Sequence, residues 1–270
     1  MILFTFVACA ETLNDCEGWA APEVTGQIAD DEIDEISGIA VSRQHSGWLW
    51  VHNDSGDQAR VFAMRTDGDE GGAFRLAGVD VNDIEDIALT SDNRLVIGDI
   101  GNNKRKRSTV QILLADEPDP GSGGGTISDV EVVTLAYPGD PHDAEALLVD
   151  QDDTIYILTK GATSTLFRAD LEAGTLSELA TIDPSRWRLD DRTQVTGADV
   201  TTDGKVLVRM YDHILVWNLD SGGLPSTFDG TACRVAPAAE SQGESLGAST
   251  RGFYTASEGE GAAVHEYSRR

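Results

Sequence analysis

At 270 residues the chain is long enough to bury a full core, and all-β barrels and propellers of this length form single domains. Its 40% apolar content is ordinary, and 28 glycines suit a turn-rich all-β chain. The formal net charge of −27 argues against non-specific binding to nucleic acid or to an anionic membrane. That charge serves either solubility in a salty or extracellular setting or a field that gathers cations.

The chain opens with the apolar run Met1 to Ala8, which meets Cys9. This pattern reads as the tail of a lipoprotein signal peptide with Cys9 as the lipidated residue, although the run is short and has no positive region before it. An ordinary apolar N-terminus is the alternative. Residues 1–15 are therefore expected to be a signal remnant or tether, and residues 16–270 a single domain. Any membrane attachment would run through a lipid on Cys9, because no later stretch approaches the ~20 apolar residues that span a bilayer. With Cys9 set aside, Cys16 and Cys233 remain as a pair, which suits an oxidising, extracytoplasmic compartment: secreted, periplasmic or lipid-anchored.

Beyond the N-terminus few helical patterns occur. Short apolar runs are separated by Gly, Asp, Asn and Ser, the signature of many short strands. Five units align on the turn before their second strand. Their first strands start at Ser37, Glu85, Glu145, Thr196 and Glu244, and their second strands follow at Trp48, Arg94, Thr154, Lys205 and Gly252. A period of roughly 50 with four strands per unit predicts a β-propeller. Third strands are expected at Arg60–Arg65, Thr109–Ala115, Ser164–Ala169, His213–Asn218 and Ala262–Tyr267. Fourth strands are expected at Gly72–Ala77, Ile127–Ala136, Thr175–Thr181 and Ala232–Ala236.

The fifth unit lacks a fourth strand, and Glu23–Ile28 is free to supply it. The expected fold is thus an all-β, five-bladed propeller closed by an N-terminal strand, with six blades as the alternative count. Closure in this way removes an open sheet edge. It also brings Cys16 towards Cys233 on the adjacent fourth strand, where a disulfide is one reading and two unrelated thiols the other. Asp116–Thr126 and Ser221–Asp229 read as loops. The basic run Lys104 to Arg107 is either a solvated loop or an anion clamp.

In an antiparallel blade, first-strand starts and second-strand ends share one face. That face collects Glu35, Asp83, Glu85, His142, Asp143, Glu145 and Glu244 from the starts. The ends add Asn53, Asp54, Asp99, Asn102, Lys160, Arg209, Tyr211 and Glu258. The opposite turns, such as Ser91-Asp92-Asn93, show ordinary turn chemistry. Glu85, Glu145 and Glu244 occupy one repeat position. They either satisfy backbone groups around the axis or converge as a carboxylate ring, which needs a cation or shifted pKa values. Oxygen donors favour Ca²⁺ or Mg²⁺, so Glu85, Asp99, Glu145 and Glu244 are the expected metal ligands. His142 and Asp143 are the candidate acid–base pair, with loop capping as the alternative for His142. Asn53, Asp54, Asn102, Lys160, Arg209 and Glu258 are candidate ligand-binding residues. Lys160 and Arg209 end buried strands, where the alternative is pairing with Glu145 or Glu244. No nucleophile elbow, phosphate-binding loop or zinc-ligand spacing is present.

The segments around Ile36-Ser37-Gly38, His52-Asn53-Asp54-Ser55-Gly56-Asp57, Ile84-Glu85-Asp86, Gly98-Asp99-Ile100-Gly101-Asn102-Asn103, His142-Asp143-Ala144-Glu145 and Gly243-Glu244-Ser245 resemble a family of bacterial secreted or lipid-anchored propeller proteins. More distantly the layout is similar to phytase-like and gluconolactonase-like propellers. That resemblance implies an acidic, metal-binding face. Together these features predict a monomer that recognises or hydrolyses a small polar or anionic ligand, a phosphoester or sugar lactone, as a metal-dependent hydrolase. The alternative is a non-catalytic scaffold for protein or glycan binding.

Overall fold

The computed structural model describes residues 11–189 and 192–270. The expected lipidation site, Cys9, lies outside them. Among the described residues the strands form four hydrogen-bonded sheets, two of five strands, one of eight and one of four. Five antiparallel meanders can be followed through these sheets. The first comprises Ile36–Val41, Trp48–Asn53, Arg60–Arg65 and Glu70–Leu76, and the second Ile84–Leu89, Arg94–Asp99, Thr109–Asp116 and Val130–Ala136. The third comprises Ala144–Val149, Ile155–Thr159, Ser164–Asp170 and Thr175–Ile182, and the fourth Val195–Val200, Lys205–Met210, His213–Asn218 and Cys233–Val235. The fifth runs Gly243–Ala248, Gly252–Ser257 and Ala263–Ser268 and is completed by the N-terminal strand Glu23–Gln27. The second and third meanders share a sheet only through one parallel pair, Ala136 with Thr175.

Burial explains this layering. The inner strands are almost wholly buried, as in Ile84–Leu89 and Ala144–Val149. The outermost strands are mostly exposed or half-buried, as in Glu23–Gln27 and Val130–Ala136. Small inner residues allow this crowding. A Cβ on Gly247 would lie 2.6 Å from the carbonyl oxygen of Ile39 on the neighbouring inner strand. The inner strands touch in the order first, second, third, fourth, fifth and back to first. Each pair of consecutive meanders encloses its own apolar cluster. Trp50, Phe74 and Ile97 pack between the first two, and Tyr156, Leu158 and Trp217 between the third and fourth.

Two details differ from the expected strands. The predicted strand Ile127–Ala136 is broken. Val130–Ala136 completes the second meander, whereas Gly125–Ile127 pairs in parallel with Phe74–Leu76 and covers the outer edge of the first. Ile127 is buried there in the cluster that holds Phe74 and Leu76, so packing across meanders decides the break. At the N-terminus, Asn14–Asp15 forms a short parallel pairing with Cys233 and Arg234, within the stretch expected as a tether. The disulfide Cys16–Cys233 follows directly, with Cα atoms 4.9 Å apart.

Candidate functional site

The pairing register of every inner strand steps by one residue near its start. The steps fall between Ile36 and Gly38, Ile84 and Asp86, Ala144 and Ala146, Val195 and Gly197, and Gly243 and Ser245. The residues at these steps are Ser37, Glu85, Glu145, Thr196 and Glu244. A β-bulge leaves one residue unpaired and re-aims its side chain, so one local irregularity, repeated five times, presents five side chains at the same level. Ser37 donates to the carbonyl of Glu85 at 3.0 Å, and Thr196 to that of Gly243 at 3.0 Å. The two hydroxyls thus tie adjacent inner strands together. The three glutamates reach further.

Asp54, Asp83 and Glu85 place one oxygen each within 4.8 Å of one another, and Asp54, Glu244 and Glu258 do the same. Asp54 belongs to both triads. Glu85 is 2% exposed, and its Oε1 has no hydrogen-bond partner. The same holds for one oxygen of Asp83 and one of Glu145. A Cβ on Gly101 would fall 2.1 Å from Glu85 Oε1 and 2.4 Å from Asp83 Oδ2, so only a glycine here lets both carboxylates pack against this backbone. Lys160 donates to Glu145 at 2.9 Å, and its ammonium lies over the Tyr211 ring.

The electrostatics follow from crowding in a dry site. Burial, then repulsion from Glu145, Asp54 and Asp83, raises Glu85 well above the carboxylate range. Burial pushes Asp83 up to about 6, reinforced by Asp54 and Asp143. Glu258 is raised to about 7 by burial and by its contact with Glu244. Burial opposes the Lys160 charge, but Glu145 outweighs it and holds the ammonium above its ordinary range. Tyr211 rises to about 12 through burial and the nearby Glu244.

The predicted residues divide accordingly. Glu85, Glu244, Asp54 and Glu258 come together in the triads, with Glu145 beside them on Lys160. The others have structural partners. Asp99, expected as a metal ligand, receives both Arg107 guanidinium nitrogens at 2.9 Å and the backbone N–H groups of Asn82 and Asp83. It anchors the Asp83 loop from behind. Arg107 is thereby the one member of the basic run that turns inward, and Lys104 to Lys106 are exposed.

Asn102, expected to bind ligand, accepts from Lys106 and Arg107 and donates to the carbonyls of Arg107 and His142, which fixes that loop. Asn53 donates to the Glu32 carbonyl at 2.7 Å and orients the turn that carries Asp54. His142, expected as the base, belongs to neither triad; its ring packs against Tyr137 and Phe167 at 5.2 and 5.1 Å between centroids. Asp143 accepts the Asn102 N–H at 2.7 Å. Arg209, expected either as an anion clamp or as a structural partner of Glu145 or Glu244, is instead 0% exposed and bonded to Glu240 and the Ser245 carbonyl. Glu240 also accepts from Thr255 and lies 2.8 Å from His265. A buried guanidinium with these partners is a structural tie between the fourth and fifth meanders.

Asp83, which the sequence places on this face without a role, and Gly101, to which it gives no role, complete the site. Asp83 stands two residues before Glu85, a visible signal. Gly101 gave none, because its role is to let two carboxylates pack against the backbone.

No family model matches the chain, and no curated protein matches it. Solved structures do. The soluble aldose sugar dehydrogenase of Escherichia coli aligns with a TM-score of 0.53 at 10% identity, over 92% of this chain and 99% of that one. A putative gluconolactonase aligns at 0.51 with 11% identity, over 95% and 94%. The Xanthomonas campestris gluconolactonase XC5397 aligns at 0.50 with 14% identity, over 98% and 99%. At such identities the likeness concerns the fold: the chain is an all-β protein of the propeller class.

Proposed function

We propose that this chain is an extracytoplasmic, five-bladed propeller whose acidic pocket binds Ca²⁺ or Mg²⁺ and there recognises or hydrolyses a small polar ligand, a phosphoester or a sugar lactone. The observation that carries this reading is Glu85. It is buried, one of its oxygens is unpartnered, and Gly101 lets it and Asp83 approach the same stretch of backbone. A buried carboxylate without a partner is costly unless it is protonated or meets a cation. The donor set fits a hard cation, because the groups are carboxylates with no thiol or imidazole among them. Asp54, Asp83 and Glu85 would hold it, beside the neighbouring triad of Asp54, Glu244 and Glu258.

When bound, the cation would polarise the ligand and lower the pKa of a coordinated water. Lys160, fixed by Glu145, has further N–H donors for an anionic group of the ligand. The gluconolactonase and sugar dehydrogenase neighbours support a sugar-derived ligand, and the Cys16–Cys233 disulfide supports an oxidising compartment. One observation favours the scaffold reading instead: both Lys160 and Arg209 neutralise glutamates internally.

Thermal unfolding separates the two. After EDTA treatment, micromolar Ca²⁺ should raise Tm by several degrees in the wild type, because ligand binding to the native state alone stabilises it. Glu85→Gln should lose that response. A rise matched by sodium chloride at equal ionic strength, or one unchanged in Glu85→Gln, would leave the scaffold reading in place.

A further inference from the structure

We infer that the protein carries a second binding site, for a small polyhydroxylated carboxylate of the sugar-acid class, at the end of its axis opposite the acidic residues. A cavity of about 600 Å³ opens there, a size typical of small-molecule sites. All five meanders build it. The last residues of the five inner strands, Val41, Leu89, Val149, Val200 and Ala248, line its apolar wall. The bulges at Glu85 and its equivalents lie near the other strand ends, and the four residues from Glu85 to Leu89 span about 13 Å. The cavity is therefore separate from the triads, and the inference stands whether or not they take a cation.

The polar lining selects the ligand. Arg43 and Arg251 bring two guanidiniums to this mouth in a chain of net charge −27. Arg43 is held in place, because its Nε donates to Asn93 and its Nη2 to the carbonyls of Leu89 and Thr90. Its Nη1 has no partner among the described residues, and neither has the exposed Arg251 guanidinium, whose backbone alone is bonded. A guanidinium fixed beforehand loses little freedom on binding, and its fork matches a carboxylate. Beside the arginines stand the hydroxyls of Ser42, Thr202, Ser249 and Thr250, which both donate and accept. Two carboxylates also line the cavity, and neither pairs with Arg43 or Arg251. Asp199 accepts the N–H groups of Val200 and Ala248, and Glu266 accepts the Tyr254 hydroxyl. Their remaining lone pairs suit ligand hydroxyls. A neutral sugar would leave the guanidiniums unfilled, and a simple carboxylate would leave the hydroxyls unmatched.

The test is calorimetric titration of the EDTA-stripped full chain with sodium gluconate, because the acidic end without a cation repels carboxylates. One equivalent is expected, with a Kd of about 1 mM or tighter for a ligand of this size. Glucose, of similar size but neutral, should bind about tenfold more weakly or worse, as should acetate, which has no hydroxyls. Arg43→Gln and Arg251→Gln should each weaken gluconate by about tenfold or more. Glu85→Gln, at the other end, should bind gluconate as the wild type does. No saturable binding in the wild type, or equal binding of glucose or acetate, would overturn the proposal. So would unchanged affinity in Arg251→Gln, and loss of binding in Glu85→Gln would move the ligand to the acidic end and overturn the second site. The wild-type comparison of gluconate with glucose decides the ligand class even where Arg43→Gln fails to fold. None of these outcomes bears on the Ca²⁺ response, so the two readings fail separately.

Discussion

The Cys16–Cys233 disulfide closes 217 residues of chain and adds a covalent tie to an N-terminal segment that is otherwise held by hydrogen bonds, ion pairs and packing. Its companions include the Glu11–Arg186 ion pair, the Trp19–Arg269 bridge, the packing of Trp19 on Phe253, a two-residue parallel pairing, the backbone bond from Cys16 to the Arg234 carbonyl, and the Asp15–Arg234 ion pair. That ion pair is largely exposed and contributes little. The loop-closure relation gives about 5 kcal/mol for a loop of this length, and residual compaction of the unfolded chain lowers it to about 3–5 kcal/mol. The double variant Cys16→Ser/Cys233→Ser should lose that amount in urea unfolding followed by tryptophan fluorescence. Limited proteolysis should then cut first between residues 16 and 23. The released segment leads directly into Glu23–Gln27, so its loss opens the Ala263–Ser268 edge of the fifth meander. A loss below about 1 kcal/mol, or no change when the wild type is reduced, would refute the reasoning.

Three further outcomes are expected. Glu240→Gln leaves the Arg209 guanidinium buried without its carboxylate and should cost about 3–5 kcal/mol in urea unfolding; a loss under about 1 kcal/mol would show that the guanidinium finds other partners. A Cβ on Gly243 would sit 1.7 Å from Arg209 Nη2, so Gly243→Ala should disrupt the same tie. Its cost should be markedly non-additive with that of Glu240→Gln in a double-mutant cycle, and simple additivity would place the damage elsewhere. Asp199 is raised to about 6 by burial, against the N–H groups of Ala248 and Val200 that favour its charge. The native state therefore holds a proton between about pH 4 and 6 that the unfolded chain has lost. Stability from this group is fully present below pH 4 and falls by about 3 kcal/mol as pH rises through 6. Asp199→Asn should flatten that part of the stability curve, and parallel curves would exclude the assignment.

The strands were legible because alternation and turn residues are local properties. Trp48–Asn53, Arg60–Arg65 and His213–Asn218 fall where the spacing predicts them. The equivalence of Ser37, Glu85, Glu145, Thr196 and Glu244 could also be read, because the unit repeats and each copy keeps its register. The N-terminal strand also follows from counting strands against units, and the same count brings Cys16 towards Cys233, where the structure decides for the disulfide over two unrelated thiols. Partner choice lay beyond that reach. Arg209 meets Glu240 rather than Glu145 or Glu244, Asp99 meets Arg107 rather than a metal triad, and the ring of His142 packs against Tyr137 and Phe167. Each pairing is set by which loop folds over which strand end, and side chains of the same charge look alike in sequence.

By itself, then, the sequence determined an all-β repeat with its acidic residues gathered at one level, because periodicity and composition act residue by residue. Only the tertiary structure decided which carboxylates keep unpartnered oxygens. That depends on bulges in the strand pairing, on the close approach of carboxylates to Gly101, and on competition among Lys160, Arg107 and Arg209 for a few anions, all of which exist only once the chain has closed on itself.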